Sequence, residues 1–113
     1  MDIPEKKVDN VCVVSLSGRL DAYVSNEVER KLNSVIDSTQ VRLVVNFANL
    51  DYISSSGLRV LLAALKKVRK QQGDVKLAAL KPYIKEVFDI AGFTQLFNLF
   101  DTEAAAVAAF KGA

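Results

Sequence analysis

The chain has 113 residues, half of them hydrophobic, which is enough for one core without disulfides or metals. Its 15 basic and 13 acidic residues leave a net charge of +2, which excludes the concentrated positive charge of a typical nucleic-acid binder. The single cysteine excludes an internal disulfide, and the lack of histidine removes the commonest general base and metal ligand.

Weak alternation from Ile3 to Val8 predicts an edge strand that ends in a turn at Asp9-Asn10. Val11 to Leu16 predicts a firmer strand closed by Ser17-Gly18, with Cys12 as a buried thiol in its apolar run. Val24, Val28, Leu32, Val35 and Ile36 then recur at helical spacing, with Ser25 as a candidate cap and Glu27 and Glu29 in the first turn. Arg42 to Phe47 reads as a strand covered on both faces, broken only by Asn46.

A helix is expected from about Ser56 to Gln72, with Leu58, Leu61, Leu62, Leu65 and Val68 as its buried stripe and Gly73 as its stop. Lys66, Lys67, Arg69 and Lys70 fall in its last turns, where they complement the negative helix end and stay solvated. Asp74 to Leu80 predicts another strand, with Val75, Leu77 and Ala79 on one side. Pro82 opens a helix faced by Ile84, Val87, Phe88 and Ala91 and ended by Gly92. A short strand near Leu96 to Phe100 and an alanine-rich helix from Thr102 to about Phe110, docked by Val107 and Phe110, complete the chain.

Alternating strands and helices over residues 1–113 predict a single α/β domain, with helices packed on a mostly parallel sheet. The N-terminal residues Met1 to Lys7 have no apolar signal core, and no run is long enough to cross a bilayer, so the expected location is the cytoplasm. No glycine-rich phosphate loop follows any strand, and the pair Glu27/Glu29 is spaced for neither metal binding nor acid–base work. The expectation is a non-enzymatic monomer with no cofactor and no metal.

Ser54, Ser55 and Ser56, followed by Gly57 and Leu58, stand where an apolar run passes into the amphipathic helix. One serine suffices to cap a helix. Three in a row, before a glycine, also fit a corner where exposure and close backbone approach matter. First-turn N–H groups there have no intrahelical partner and lie at the positive end of the helix dipole, so a phosphate would be tolerated. The residues alone leave both readings open.

Ser17-Gly-Arg-Leu-Asp21, Val44-Val-Asn-Phe-Ala-Asn-Leu-Asp-Tyr-Ile-Ser-Ser-Ser-Gly-Leu58, the Gly73 turn and Val87-Phe-Asp-Ile-Ala-Gly-Phe93 occur in order over nearly the whole length. In these segments the chain resembles the anti-sigma factor antagonists, the free-standing members of the STAS domain family. The resemblance implies a mixed, mostly parallel sheet of four to five strands with about four α-helices. It implies phosphorylation on Ser55 by an anti-sigma factor serine kinase, Ser54 and Ser56 being the lesser candidates, and reset by a serine phosphatase. The kinase supplies the ATP and magnesium. Asp21, Ser54, Ser55, Ser56, Gly57 and Leu58 are the implied partner-binding positions. Ser54 departs from the resemblance, since the family carries aspartate there. Two alternatives accompany this reading: a non-phosphorylated scaffold subunit of a stressosome-like or transport assembly, and a partner switch whose output is not a sigma factor.

Overall fold

Two long parallel strands carry their carboxyl ends to the same edge of this domain. The computed structural model describes residues 2–38 and 40–111. β1 (Glu5–Val8) pairs antiparallel with β2 (Val11–Leu20) across Asp9 and Asn10, both at positive φ, the geometry that a two-residue hairpin needs. From β2 the chain passes through α1 (Ser25–Asp37), β3 (Arg42–Ile53), α2 (Ser55–Arg69), β4 (Asp74–Ala78) and α3 (Pro82–Ile90). A 3-10 turn (Phe93–Gln95), β5 (Asn98–Phe100) and α4 (Glu103–Lys111) follow. The strand order is β1-β2-β3-β4-β5, and every pair after the first is parallel.

Alternation along the strands feeds two separate cores. Cys12, Val14 and Leu16 of β2 and Leu43, Val45 and Phe47 of β3 face α1, α2 and α3. Val11, Val13 and Val44 face α4, whose Ala106, Val107 and Phe110 cover them. Lys76 is buried on this second side, held by Asp74 at 3.1 Å and lying 4.7 Å from the Phe110 ring. On the first side Phe88 makes edge-to-face contacts with Phe47, Phe93 and Phe97.

Several boundaries differ from the local expectation. β2 does not close at Ser17-Gly18 but continues to Leu20, and β3 runs past Phe47 to Ile53. Each extension is the other's hydrogen-bonding partner, with register shifts at Ser15/Ser17 and Gly18/Arg19 and Gly18 at φ +73°. Strand pairing has overridden the turn preference of Ser-Gly. Ser25 is not a cap: Asp21 Oδ1 instead accepts from the N–H groups of Tyr23 and Val24, and the Ser25 hydroxyl donates to the Asp21 carbonyl.

α2 ends at Arg69, and the left-handed residue after it is Gln72 at φ +64°, not Gly73. Gly73 is required for space, because a Cβ there would lie 2.1 Å from the Val41 carbonyl oxygen. Leu62 is only half-buried, while Val60 and Ala64 join the stripe. Ala79, at φ +62°, turns the chain out of β4 instead of extending it, and Ala91 is exposed. Of the basic cluster, Lys67 reaches Asp37 at 2.8 Å and Arg69 donates to the Leu96 carbonyl at 2.9 Å, so both tie α2 to its neighbours.

Candidate functional site

Leu20 at the end of β2 stands in parallel register with Ile53 at the end of β3. The next residues, Asp21 and Ser54, are therefore carried to the same edge, at the carboxyl ends of the parallel strands where α/β sheets present their sites. The Ser54 N–H donates to the Leu20 carbonyl at 2.8 Å and ties the corner to β2. Ser54 is the N-cap of α2: its φ/ψ is extended, and its Oγ accepts from the Gly57 N–H at 3.2 Å. The helical ladder begins with Leu58 N–H donating to the Ser54 carbonyl at 3.0 Å.

This geometry separates the three serines. Ser54 is half-buried and its hydroxyl is engaged as the cap. Ser56 is half-buried as well. Ser55, at the first helical position, is exposed. Gly57 and Leu58, both implied partner-binding positions, lie beneath the surface: Gly57 is buried, and Leu58 is 8% exposed within the main core, as its place in the apolar stripe predicts. Amphipathic packing of α2 draws Leu58 inward, which leaves Ser55 and Arg59 as the exposed residues of its first five. Asp21 is half-buried, its carboxylate committed to the turn that starts α1.

Local reading of the sequence missed three features beside this edge. Arg19 lies 4.2 Å from the centroid of the Tyr52 ring, a cross-strand pair that exists only because β2 and β3 are long. Tyr23, two residues after Asp21, is 93% exposed. Asp51 forms an ion pair with Lys81, the N-cap residue of α3. The strand extension was hidden by the turn-like Ser17-Gly18, whereas an aromatic in a polar loop, as Tyr23 is, can be noticed from sequence.

An open cavity of about 500 Å³ lies between α3 and β5, lined by Lys85, Asp89, Thr94, Phe97, Asn98, Leu99 and Phe100, and includes none of the corner residues. Among the described residues no group of three or more Cys, Asp or Glu side chains is placed to hold a metal ion. No helix among them is long and apolar enough to cross a membrane. The Cys12 thiol is buried, and burial, with the Glu5 charge adding to it, pushes it up to about 11.

Fold and corner together define a class of small α/β domain that presents a serine-bearing strand-to-helix junction at the carboxyl edge of a mostly parallel sheet. The profile of the STAS domain matches residues 2–106, and the chain belongs to the STAS domain family. It is 38% identical to BtrV of Bordetella bronchiseptica, named among the anti-sigma factor antagonists, over 100% of this chain and 97% of BtrV. An anti-sigma factor antagonist from Mycobacterium paratuberculosis superposes with a TM-score of 0.88 at 26% identity, covering 96% of this chain and 92% of that one. SpoIIAA, at 22% identity, shares the fold in its unphosphorylated form (TM-score 0.86, 99% of this chain and 98% of that one). Its phosphorylated form matches with a TM-score of 0.76, over 96% and 99% of the two chains.

Proposed function

We propose that this protein is an anti-sigma factor antagonist that works as a phosphorylation-controlled partner switch. The observation that carries the reading is the exposed hydroxyl of Ser55 at the first position of α2, on a corner already capped by Ser54. The likeness to BtrV over its full length supports the assignment of class, and the existence of SpoIIAA in two phosphorylation states supports the switch. The unphosphorylated chain docks this corner, with Asp21, Ser54, Ser55 and Ser56 facing the partner and Gly57 and Leu58 supporting them from below, onto an anti-sigma factor serine kinase. Docking releases a sigma factor. The protein acts as a monomer in the cytoplasm and catalyses nothing itself; ATP and magnesium are bound by the kinase, and a serine phosphatase resets the switch.

Phosphorylation adds about −1.5 to −2 charges at the contact surface. Forcing such a group unpaired into an interface costs several kcal/mol in desolvation and repulsion. A loss of roughly 4 kcal/mol is about a thousandfold in affinity, sufficient to separate the partners. The modified group sits at a helix start on the surface, so the fold is retained.

Incubation with the cognate kinase and ATP is expected to add one phosphate, located on Ser55 by peptide mass spectrometry. Ser55→Asp is expected to lose kinase binding while keeping the wild-type circular dichroism. Modification of another residue overturns the site, and equal binding by Ser55→Asp overturns the electrostatic mechanism. One observation favours a second reading: Ser54 stands where the family resemblance leads to aspartate. A constitutive scaffold subunit would accept no phosphate and would elute in a large stable assembly.

A further inference from the structure

We infer that Arg59 is the internal counter-charge of a phosphate on Ser55, so that modification withdraws this cation from the docking surface as well as adding negative charge to it. The inference rests on the reading of Ser55 as the switch residue. Ser55 and Arg59 are both exposed and stand four residues apart on α2, which places them one above the other on the same face. Helical side chains lean toward the helix N-terminus, so the long Arg59 side chain covers the turn that begins at Ser55. The order is also the favourable one, with the anion N-terminal to the cation.

Among the described residues Arg59 has no competing engagement. The positions three and four residues away on either side are Ser55, Ser56, Leu62 and Ala63, none of them acidic, and the first turn of α2 contains no acidic residue. Among the described residues Arg59 makes no salt bridge, and the cations stacked on rings are Arg19 and Lys76. A guanidinium meets a phosphate with two parallel donors, a match that no other residue in the first two turns of α2 can make. Of the serines within reach, Ser54 is occupied as the cap and Ser56, three residues before Arg59, is half-buried, whereas Ser55 is exposed.

In the unphosphorylated chain the Arg59 charge is open to a partner carboxylate, and in the phosphorylated chain it is satisfied internally. The test uses full chain with phosphoserine installed at position 55 during translation, followed by phosphorus-31 NMR across a pH titration at low ionic strength. With Arg59 present, the second proton is expected to leave about half a pH unit below the value of about 6 for an isolated phosphoserine. Arg59→Gln should raise the midpoint, leaving only the lowering due to the helix N-terminus, and Arg59→Lys should keep part of the difference. Identical midpoints in the wild type and Arg59→Gln overturn the inference. Because no kinase is involved, a chain that proves not to be a kinase substrate leaves this result readable, and the kinase assay is equally independent of Arg59.

Discussion

A side-chain carbon on Gly57 would lie 2.7 Å from Cγ of Leu20 and 3.0 Å from Cγ1 of Ile53, so the first turn of α2 rests directly on the last residues of β2 and β3. Leu20 is fully buried, and its Cγ is a branch point that cannot swing aside as a chain end does. Glycine here is a requirement of space between helix and sheet. Overpacking of about 1–3 kcal/mol is set against a gain of about 1 kcal/mol from alanine's helix propensity, leaving Gly57→Ala up to roughly 2 kcal/mol less stable. Urea unfolding followed by circular dichroism measures this, and an unchanged midpoint would show that the corner has slack.

Ser54 and Ser55 differ in what their hydroxyls do, and the difference is measurable without any partner. Ser54→Ala removes the acceptor of the Gly57 N–H and is expected to cost about 1 kcal/mol. Ser55→Ala removes an exposed hydroxyl and should change stability by less than about 0.5 kcal/mol. Equal losses from the two substitutions would contradict the division into cap and free hydroxyl.

The start of α4 is held by a carboxylate. Glu103 Oε1 accepts from Asn46 at 3.0 Å, and Oε2 meets Lys6 at 2.9 Å. The Asn46 hydrogen bond first, and then Lys6, hold Glu103 below its ordinary 4.5 despite partial burial. A depressed folded-state value stabilises the protein above the unfolded value and loses that contribution as pH falls through the folded one. Stability should therefore fall as pH drops from the ordinary carboxylate value through the lowered folded one, and less steeply in Glu103→Gln. Some slope will remain in the variant, since Lys31 lowers Glu5 in the same direction. Superimposable stability–pH curves would remove Glu103 from the linkage.

Cys12 is packed between sheet and helices, with its thiol 3.7 Å from Glu5. At about 11 it is almost wholly protonated near neutrality, and thiolate is the reactive form. A disulfide reagent at about pH 8 is expected to leave the folded chain untouched and to react stoichiometrically in guanidinium. Rapid reaction under native conditions would mean that the β1–β2 edge opens readily.

Much of the architecture was legible because hydrophobic period reports the buried face directly. The spacing of Val28, Leu32, Val35 and Ile36, and that of Leu58, Leu61, Leu65 and Val68, identified the faces that α1 and α2 bury. Pro82 marked the first residue of α3, and Asp9-Asn10 the hairpin. The failures share one cause. Ser17-Gly18 reads locally as a turn and the apolar run from Arg42 as ending at Phe47, yet β2 and β3 each continue because the other is there to receive their hydrogen bonds. Gly73 likewise reads as a helix stop, but its reason is the carbonyl of Val41, a residue 32 positions earlier.

By itself the amino-acid order determined the helix faces, the run of three serines before a glycine and the spacing from Ser55 to Arg59, all set by the period of a single element. Only the tertiary structure decided that Ser54 is the engaged hydroxyl and Ser55 the exposed one, and that Asp21 arrives beside them. It also turned Gly57 from a surface candidate into packing. Those outcomes depend on the parallel register of Leu20 with Ile53, a contact between distant segments whose hydrogen bonds no local pattern encodes.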